Sequence, residues 1–299
     1  MNSQKGKESL AGIFNAVPAF LIWGLSPIYF KWLRAVPSFE ILMHRMVWSF
    51  LFLIPIIAGL GYWSEFKSAI SNLRTFGILL GTTLLVSCNW FLFIWAINTD
   101  RILETSLGYY INPLINVLFG MLFLKERLRR AQWVAVFLAG AGVAYSTIQF
   151  GTLPWISLVL ALTFGFYGLI RKVAPVGALV GLTIETFIMS IPALIGLVYL
   201  NLKGEGAFSH FGISIDLLLS AASLVTALPL LLFTAGARRL HLSTIGILQY
   251  IAPSSTFLLA VFIYNEPFST AKLWTFIMIW SALCIYSVDS ILQYRKAGE

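Results

Sequence analysis

Ionisable side chains set deep in apolar sequence are the residues whose chemistry needs explaining. His44 and Arg45 follow Glu40 near the start of one apolar window, Glu104 opens another, and Glu185 lies well inside a third. Asn89 and Asn98 flank the aromatic run Trp90 to Trp95 in a fourth. A charge facing hydrocarbon is costly, so these side chains belong on an interior that faces protein, cargo or water. Their types suit recognition and proton exchange rather than bond breaking. An arginine and a few amides orient a polar ligand, and a carboxylate in a low-dielectric cavity holds a coupling proton.

Catalysis has little to stand on. His44 and Glu185 are joined by no nucleophile motif, so no catalytic residue is assigned. His44, His210 and His241 lack the paired spacing of a metal site, and no Gly-rich phosphate loop occurs. Neither a metal nor a cofactor is expected. Cys88 and Cys284 both sit in apolar stretches, where neither a disulfide framework nor a thiolate cluster is expected. Arg45 and Glu104 form one candidate pair, because their helices enter from the same side. Glu185 is open to two readings: contact with cargo or a coupling proton, and structural pairing.

Pro113 and Pro253 interrupt two corresponding helices, each leaving a backbone carbonyl without its helical donor. Such carbonyls beside a cavity can bind polar groups, although proline also simply shapes packing. Trp23, Tyr29, Trp48, Trp90, Trp95, Tyr109, Tyr110, Tyr167 and Tyr250 lie near the Gly, Pro and Asn positions, so a cavity there is aromatic and favours apolar or amphipathic cargo. Trp32, Trp63, Trp133 and Trp155 read as interface anchors. The pairs Gly77 with Gly81 and Gly177 with Gly181 read as close helix contacts.

The elements that must position these residues are membrane helices. The chain is 59% hydrophobic and 11% charged, with 24 Phe and 10 Trp, leaving too little polar surface for a soluble domain. Apolar windows run over 9 to 30, 46 to 64, 75 to 99, 105 to 124, 131 to 170, 217 to 237 and 240 to 265. About 20 helical residues cross a hydrocarbon core of roughly 30 Å. The longest window holds two crossings broken at Phe150 to Pro154, and 179 to 200 and 273 to 291 complete an expected ten. Continuous apolarity without alternation favours helices over barrel strands. The first window lacks a small-residue cleavage site, so it reads as a retained helix rather than a signal peptide.

Most of the 20 Lys and Arg fall in the N-terminus, the even loops and the C-terminus, which places both termini in the cytoplasm. The formal charge of +8 is dispersed among loops and forms no single basic face for nucleic acid. A repeat then appears: Tyr110, Pro113 and Glu126 recur 140 residues later as Tyr250, Pro253 and Glu266. Five helices per half is odd, so the halves 1–150 and 151–299 are expected to lie inverted in the membrane.

At these motifs the chain resembles the EamA family of the drug/metabolite transporter superfamily, in its RarD-like branch. The stretches that carry the resemblance are His44-Arg45, Asn89 to Ala96, Glu104 to Leu114, Lys125-Glu126-Arg127, Arg171-Lys172 and Leu248 to Pro253. Asn265-Glu266 departs from a Gly-Glu pair common in the family, and Tyr110 replaces a common Phe. The resemblance implies two inverted five-helix repeats in a bacterial inner membrane, with a central cavity formed mainly by helices 1 to 4 and 6 to 9. The resulting expectation is an all-α polytopic membrane protein, a secondary transporter exporting small amphipathic metabolites or drugs by alternating access. Its partners are a small-molecule substrate and the lipid bilayer. A non-transporting membrane scaffold or sensor is the alternative, and a membrane-embedded enzyme a more distant one.

Overall fold

The computed structural model describes residues 2–125, 127–237, 239–240 and 248–298. Their regular structure is helical, as it must be where no water is present to satisfy an open backbone. The order is α1 (Asn2–Trp32), α2 (Ser38–Gly59), a short α3 (Trp63–Ser71), α4 (Leu73–Asn98), α5 (Ile102–Leu124), α6 (Arg130–Phe150), α7 (Trp155–Val173) and α8 (Ala178–Lys203). Then come α9 (Ile213–Ser220), α10 (Ala222–Ala237), α11 (Ile251–Leu258), which continues as a π-helical turn over Leu259–Ile263, and α12 (Thr270–Gly298).

Among the described residues, nine spans are long and apolar enough to cross a membrane, with Ile213–Gly236 counting as one. Only part of the window 240 to 265 falls among the described residues. Ile251–Ile263 is a shorter apolar helix, and residues 241–247, with Glu126 of the repeat, lie outside the described residues.

Two further differences have a physical cause. The window expected from residue 46 is a helix that begins at Ser38. The uninterrupted apolar window begins only after the charges, but Glu40, His44 and Arg45, 2%, 4% and 6% exposed, lie on the helix's inner face. Gly77 and Gly81 do not mark a close contact, since nothing lies within 4 Å of a Cβ built at either.

Short connections gather the helix termini at two opposite ends. One end holds residues 33–37, 99–101, 151–154, 204–212 and 264–269. There Lys31 pairs with Asp100, Glu40 accepts from Ala207 N, and Glu266 accepts from Ile102 N and Leu103 N. The other end holds residues 60–72, 125, 127–129 and 174–177, where Glu65 accepts from Gly177 N and Arg129 pairs with Asp289. We call these the Glu266 end and the Arg171 end.

The strongest helix packings are α1 on α10, α2 on α8, α5 on α7 and α6 on α12. Each joins a helix before residue 151 to one after it. Gly24 makes one crossing possible: a Cβ there would lie 2.7 Å from Ser255 Cβ and 2.8 Å from the Ala252 carbonyl, so α1 meets α11 almost backbone to backbone. Thr256 Oγ1 donates to the Gly24 carbonyl at 3.1 Å across this contact. The repeat has a backbone counterpart as well. Lys125 and Asn265, again 140 residues apart, both adopt the left-handed region, with φ of 56° and 50°. The Asn265 that departs from the family pattern therefore keeps a conformation that asparagine tolerates.

Candidate functional site

Arg45 lies two turns into α2, under α4 and α10. Its Nε donates to Thr226 Oγ1 at 2.7 Å, and its guanidinium carbon lies 3.9 Å from the centre of the Trp90 ring and 5.8 Å from that of Phe30. The phenols of Tyr29 and Tyr109 are its near electrostatic neighbours. A buried arginine in a membrane helix costs about 2.5–3.5 kcal/mol on insertion scales. A desolvated cation–π contact returns about 2 kcal/mol and a charged hydrogen bond about 1.5–3 kcal/mol, which makes the site tenable without a counter-ion. The expected Arg45 to Glu104 pair is not formed: Glu104 lies 3.8 Å from Arg101 at the helix end, where its side chain stays 30% exposed.

Asn89 is fully buried and fully used. Its Nδ2 donates to Leu160 O and Thr163 Oγ1, both at 2.9 Å, and its Oδ1 accepts from Tyr109 at 3.2 Å. It therefore ties α4 to α7 and α5, and holds Tyr109 beside Arg45. Asn98 is farther out, near the Glu266 end, and reaches Ser38 Oγ at 3.4 Å. His44 neighbours Arg45 in sequence but faces elsewhere. It lies 4.0 Å from Glu40 and against the Phe208 ring, in a corner closed by residues 204–212.

Glu185 sits near the Arg171 end. Its Oε1 accepts from Thr82 Oγ1 at 2.7 Å and lies 3.8 Å from Arg171 Nε, while Oε2 accepts from Tyr167 at 3.1 Å. Sequence reasoning missed Arg171 as its partner. The signal was spatial: α7 and α8 turn back on each other through residues 174–177, which brings the end of one beside the start of the other. Gly181 makes room for this pair. A Cβ there would overlap the Arg171 guanidinium, so its role is not the close helix contact expected from its spacing. Gly177 lies at the helix start, where its N–H meets Glu65.

Tyr110, Tyr250 and Pro253 form a third group. The Tyr110 hydroxyl bonds Ser254 Oγ at 2.6 Å, its ring stacks on Tyr250 with centroids 6.4 Å apart, and the Pro253 carbonyl accepts from Ser106 at 2.8 Å. These rings, with Phe257, Trp280 and Cys284, line a largely apolar cavity of about 580 Å³. Pro113 is buried within α5. The singled-out residues are thus distributed between a central cation, a carboxylate cluster and an aromatic cavity, rather than collected in one pocket. Trp32, Trp63, Trp133 and Trp155 are exposed on the outer surface, as interface anchors should be.

Arg45, Asn89, Glu185, Tyr110 and Ser106 each make at least one polar contact that joins residues before 151 to residues after it. Apolar helices of membrane-spanning length, buried charges and a polar seam between the two parts of the chain define a polytopic membrane protein. Comparison with known proteins gives the class a family. The EamA-like transporter family profile matches residues 10–148. An uncharacterised transporter of Vibrio cholerae serotype O1 is 49% identical over 293 residues, 98% of this chain and 96% of the relative. Protein RarD of Escherichia coli strain K12 is 45% identical over 98% of this chain and 99% of its own, and the chloramphenicol-sensitive protein RarD of Pseudomonas aeruginosa is 32% identical over 96% and 97%. A solved crystal structure superposes with a TM-score of 0.59 over 93% of this chain and 96% of its own at 20% identity, a likeness of fold alone. The chain belongs to the EamA-like transporter family, among its RarD-like members. It is a secondary transporter of small molecules rather than an enzyme.

Proposed function

We propose that the protein exports small amphipathic metabolites or drugs by alternating access, with ten helices in two inverted halves, 1–150 and 151–299, and both termini in the cytoplasm of a bacterial cell. The observation that carries this reading is the polar seam. Arg45 to Thr226, Thr82 to Glu185, Asn89 to Thr163, Glu40 to Ala207 and Glu266 to Leu103 all join one half to the other. Hydrogen bonds of this kind can be exchanged for others at modest net cost, about 1 kcal/mol each. A seam that breaks at one end and re-forms at the other lets two halves rock about a central site. The left-handed turns at Lys125 and Asn265 and the half-to-half packing of α2 on α8 support the inversion.

The central site itself comprises Arg45, Trp90 and Asn89 with Tyr109, and Glu185 is a candidate for proton coupling. Aromatic faces accommodate an apolar body while the guanidinium and amides orient a polar end. Metabolite profiles of cells lacking and overproducing the protein test the export reading. An amphipathic compound whose efflux follows protein abundance, and which then binds the purified protein, supports it. No such change, together with no flux of any compound in reconstituted vesicles, overturns it. If Glu185→Gln protein transports with unaltered pH dependence, Glu185 has no part in coupling.

A further inference from the structure

We infer that the cargo carries a single anionic group, a carboxylate or its equivalent, and that Arg45 is the group that binds it. The inference rests on the transporter reading above and adds the charge of the substrate to it. Arg45 is 6% exposed, yet among the described residues no Asp or Glu lies within ion-pair distance of it. Its Nε is satisfied by Thr226, while its two terminal amino groups make no hydrogen bond among the described residues. The other buried cation near a membrane end, Arg171, has both a carboxylate and backbone carbonyls. The protein thus neutralises one buried guanidinium and leaves the other with its outer fork free, the geometry that receives a carboxylate through two parallel hydrogen bonds.

The surroundings fit one anion with an apolar body. Trp90 and Tyr109 are only partly covered by protein although Arg45 and Asn89 beside them are buried, so aromatic surface remains next to the free fork. The guanidinium is fixed from behind: Thr226 holds Nε and Trp90 supports its face, which pre-orients Nη1 and Nη2. Because Thr226 belongs to α10 and Arg45 to α2, an anion on Arg45 sits on the seam between the halves. There its binding bears directly on how they rock. Among the described residues a polyanion meets no second cation within reach of the Arg45 fork, which favours monoanions.

The test is a matched set of probes on purified full-length protein in nanodiscs. 3-Phenylpropionate is compared with 3-phenylpropionamide, and N-acetylphenylalanine with its amide, by calorimetric titration and by counterflow in vesicles. In the parent each acid binds about tenfold or more tightly than its amide, as a charge-assisted bidentate pair requires. Arg45→Gln abolishes that preference while leaving weak binding of the amides. Should Arg45→Gln not fold, Arg45→Lys is read instead: it keeps the charge, loses the fork and lowers the ratio of acid to amide affinity about tenfold. Equal affinity of acid and amide in the parent, no binding of either acid, or an acid preference that survives Arg45→Gln overturns the inference. Counterflow of the amides without preference for the acids would leave the transporter reading standing and sink the carboxylate site. Absence of any flux would sink the transporter reading itself.

Discussion

Arg45 and Glu185 occupy matching places on two helices that pack against each other from opposite ends. Ser38 begins α2 and Ala178 begins α8, so each residue sits seven positions into its helix, and 140 residues separate them, the interval of the sequence repeat. At 1.5 Å per residue each lies roughly 10 Å below its own end. Their charges are opposite and so is their satisfaction. Glu185 has a guanidinium and two hydroxyls, whereas Arg45 has one hydroxyl and the faces of aromatic rings. The two ends of the bundle thus differ in chemistry: one holds an internal ion pair, and the other holds a cation with no carboxylate partner among the described residues.

Removing the Glu185 carboxylate leaves Arg171 buried with only carbonyl partners. Glu185→Ala is expected to lower unfolding free energy by about 3–5 kcal/mol, the usual cost of breaking a buried pair from one side. Glu185→Gln, which keeps one acceptor oxygen for Thr82 and presents an amide N–H that the Tyr167 hydroxyl can accept, loses less. The double variant Glu185→Gln with Arg171→Gln recovers part of the loss. Thermal unfolding in detergent checks this, and single variants as stable as the parent would show the pair to be idle.

Gly181 is held small by the Arg171 guanidinium. Gly181→Ala is expected to destabilise the protein by about 1–3 kcal/mol, the range for overpacking a filled site, and Arg171→Ala in the same chain should remove that penalty. Gly77→Ala serves as the control and should be neutral, since its Cβ meets open space. A penalty for Gly181→Ala that persists without the Arg171 side chain would point to some other contact.

Much of the architecture was legible because apolarity and length alone decide which segments span a membrane. The residues at 40, 44 and 45 show where that reasoning stops. A charge run looks the same in sequence whether it ends a helix or lines its buried face, and the distinction requires α8 and α10 beside it. Arg45, Trp90 and Asn89 were each singled out because intramembrane polar groups and the aromatics beside them must face inward, but the partner offered for Arg45 was Glu104. Their partners Thr226 and Thr163 were not singled out, since a threonine in an apolar helix ordinarily bonds its own backbone. Arg171 was visible as a basic residue of a short loop and as part of a family stretch, neither of which names Glu185 as its partner. Its turn toward Glu185 depends on the missing Cβ at Gly181.

Glu266 caps the first turn of α5, and burial raises its carboxyl above the usual carboxylate range, with the N–H groups of Leu103 and Ile102, Lys272 and Lys31 opposing the shift. A raised pKa means that the folded state holds the proton more firmly than the unfolded one. This group's contribution to stability is therefore largest at acid pH and declines as pH rises from about 4.5 through the raised value. Glu266→Gln should flatten that part of the stability profile. Glu266→Ala strips the cap from both N–H groups and should cost about 1–2 kcal/mol at all pH values. Unfolding midpoints measured from pH 4 to 8 distinguish the two, and an unchanged slope in Glu266→Gln would remove Glu266 from the account.

The proposed inversion of the halves requires two loops to lie on opposite faces of the membrane. Accessibility labels at residues 127–130 should report the cytoplasm and labels at 267–270 the outside, because those positions follow the equivalent turns at Lys125 and Asn265. Both loops on one face of the membrane would contradict the inverted arrangement.

The central claim is that the two ends open in turn, and disulfide locking with counterflow in reconstituted vesicles measures it. In a protein with Cys88 and Cys284 replaced by Ser, Glu65→Cys with Gly177→Cys clamps the Arg171 end, and Ile102→Cys with Glu266→Cys clamps the Glu266 end. Exchange of an amphipathic carboxylate across the vesicle should stop when either clamp is oxidised and return when it is reduced. Exchange that continues with both ends clamped would contradict alternating access in this protein.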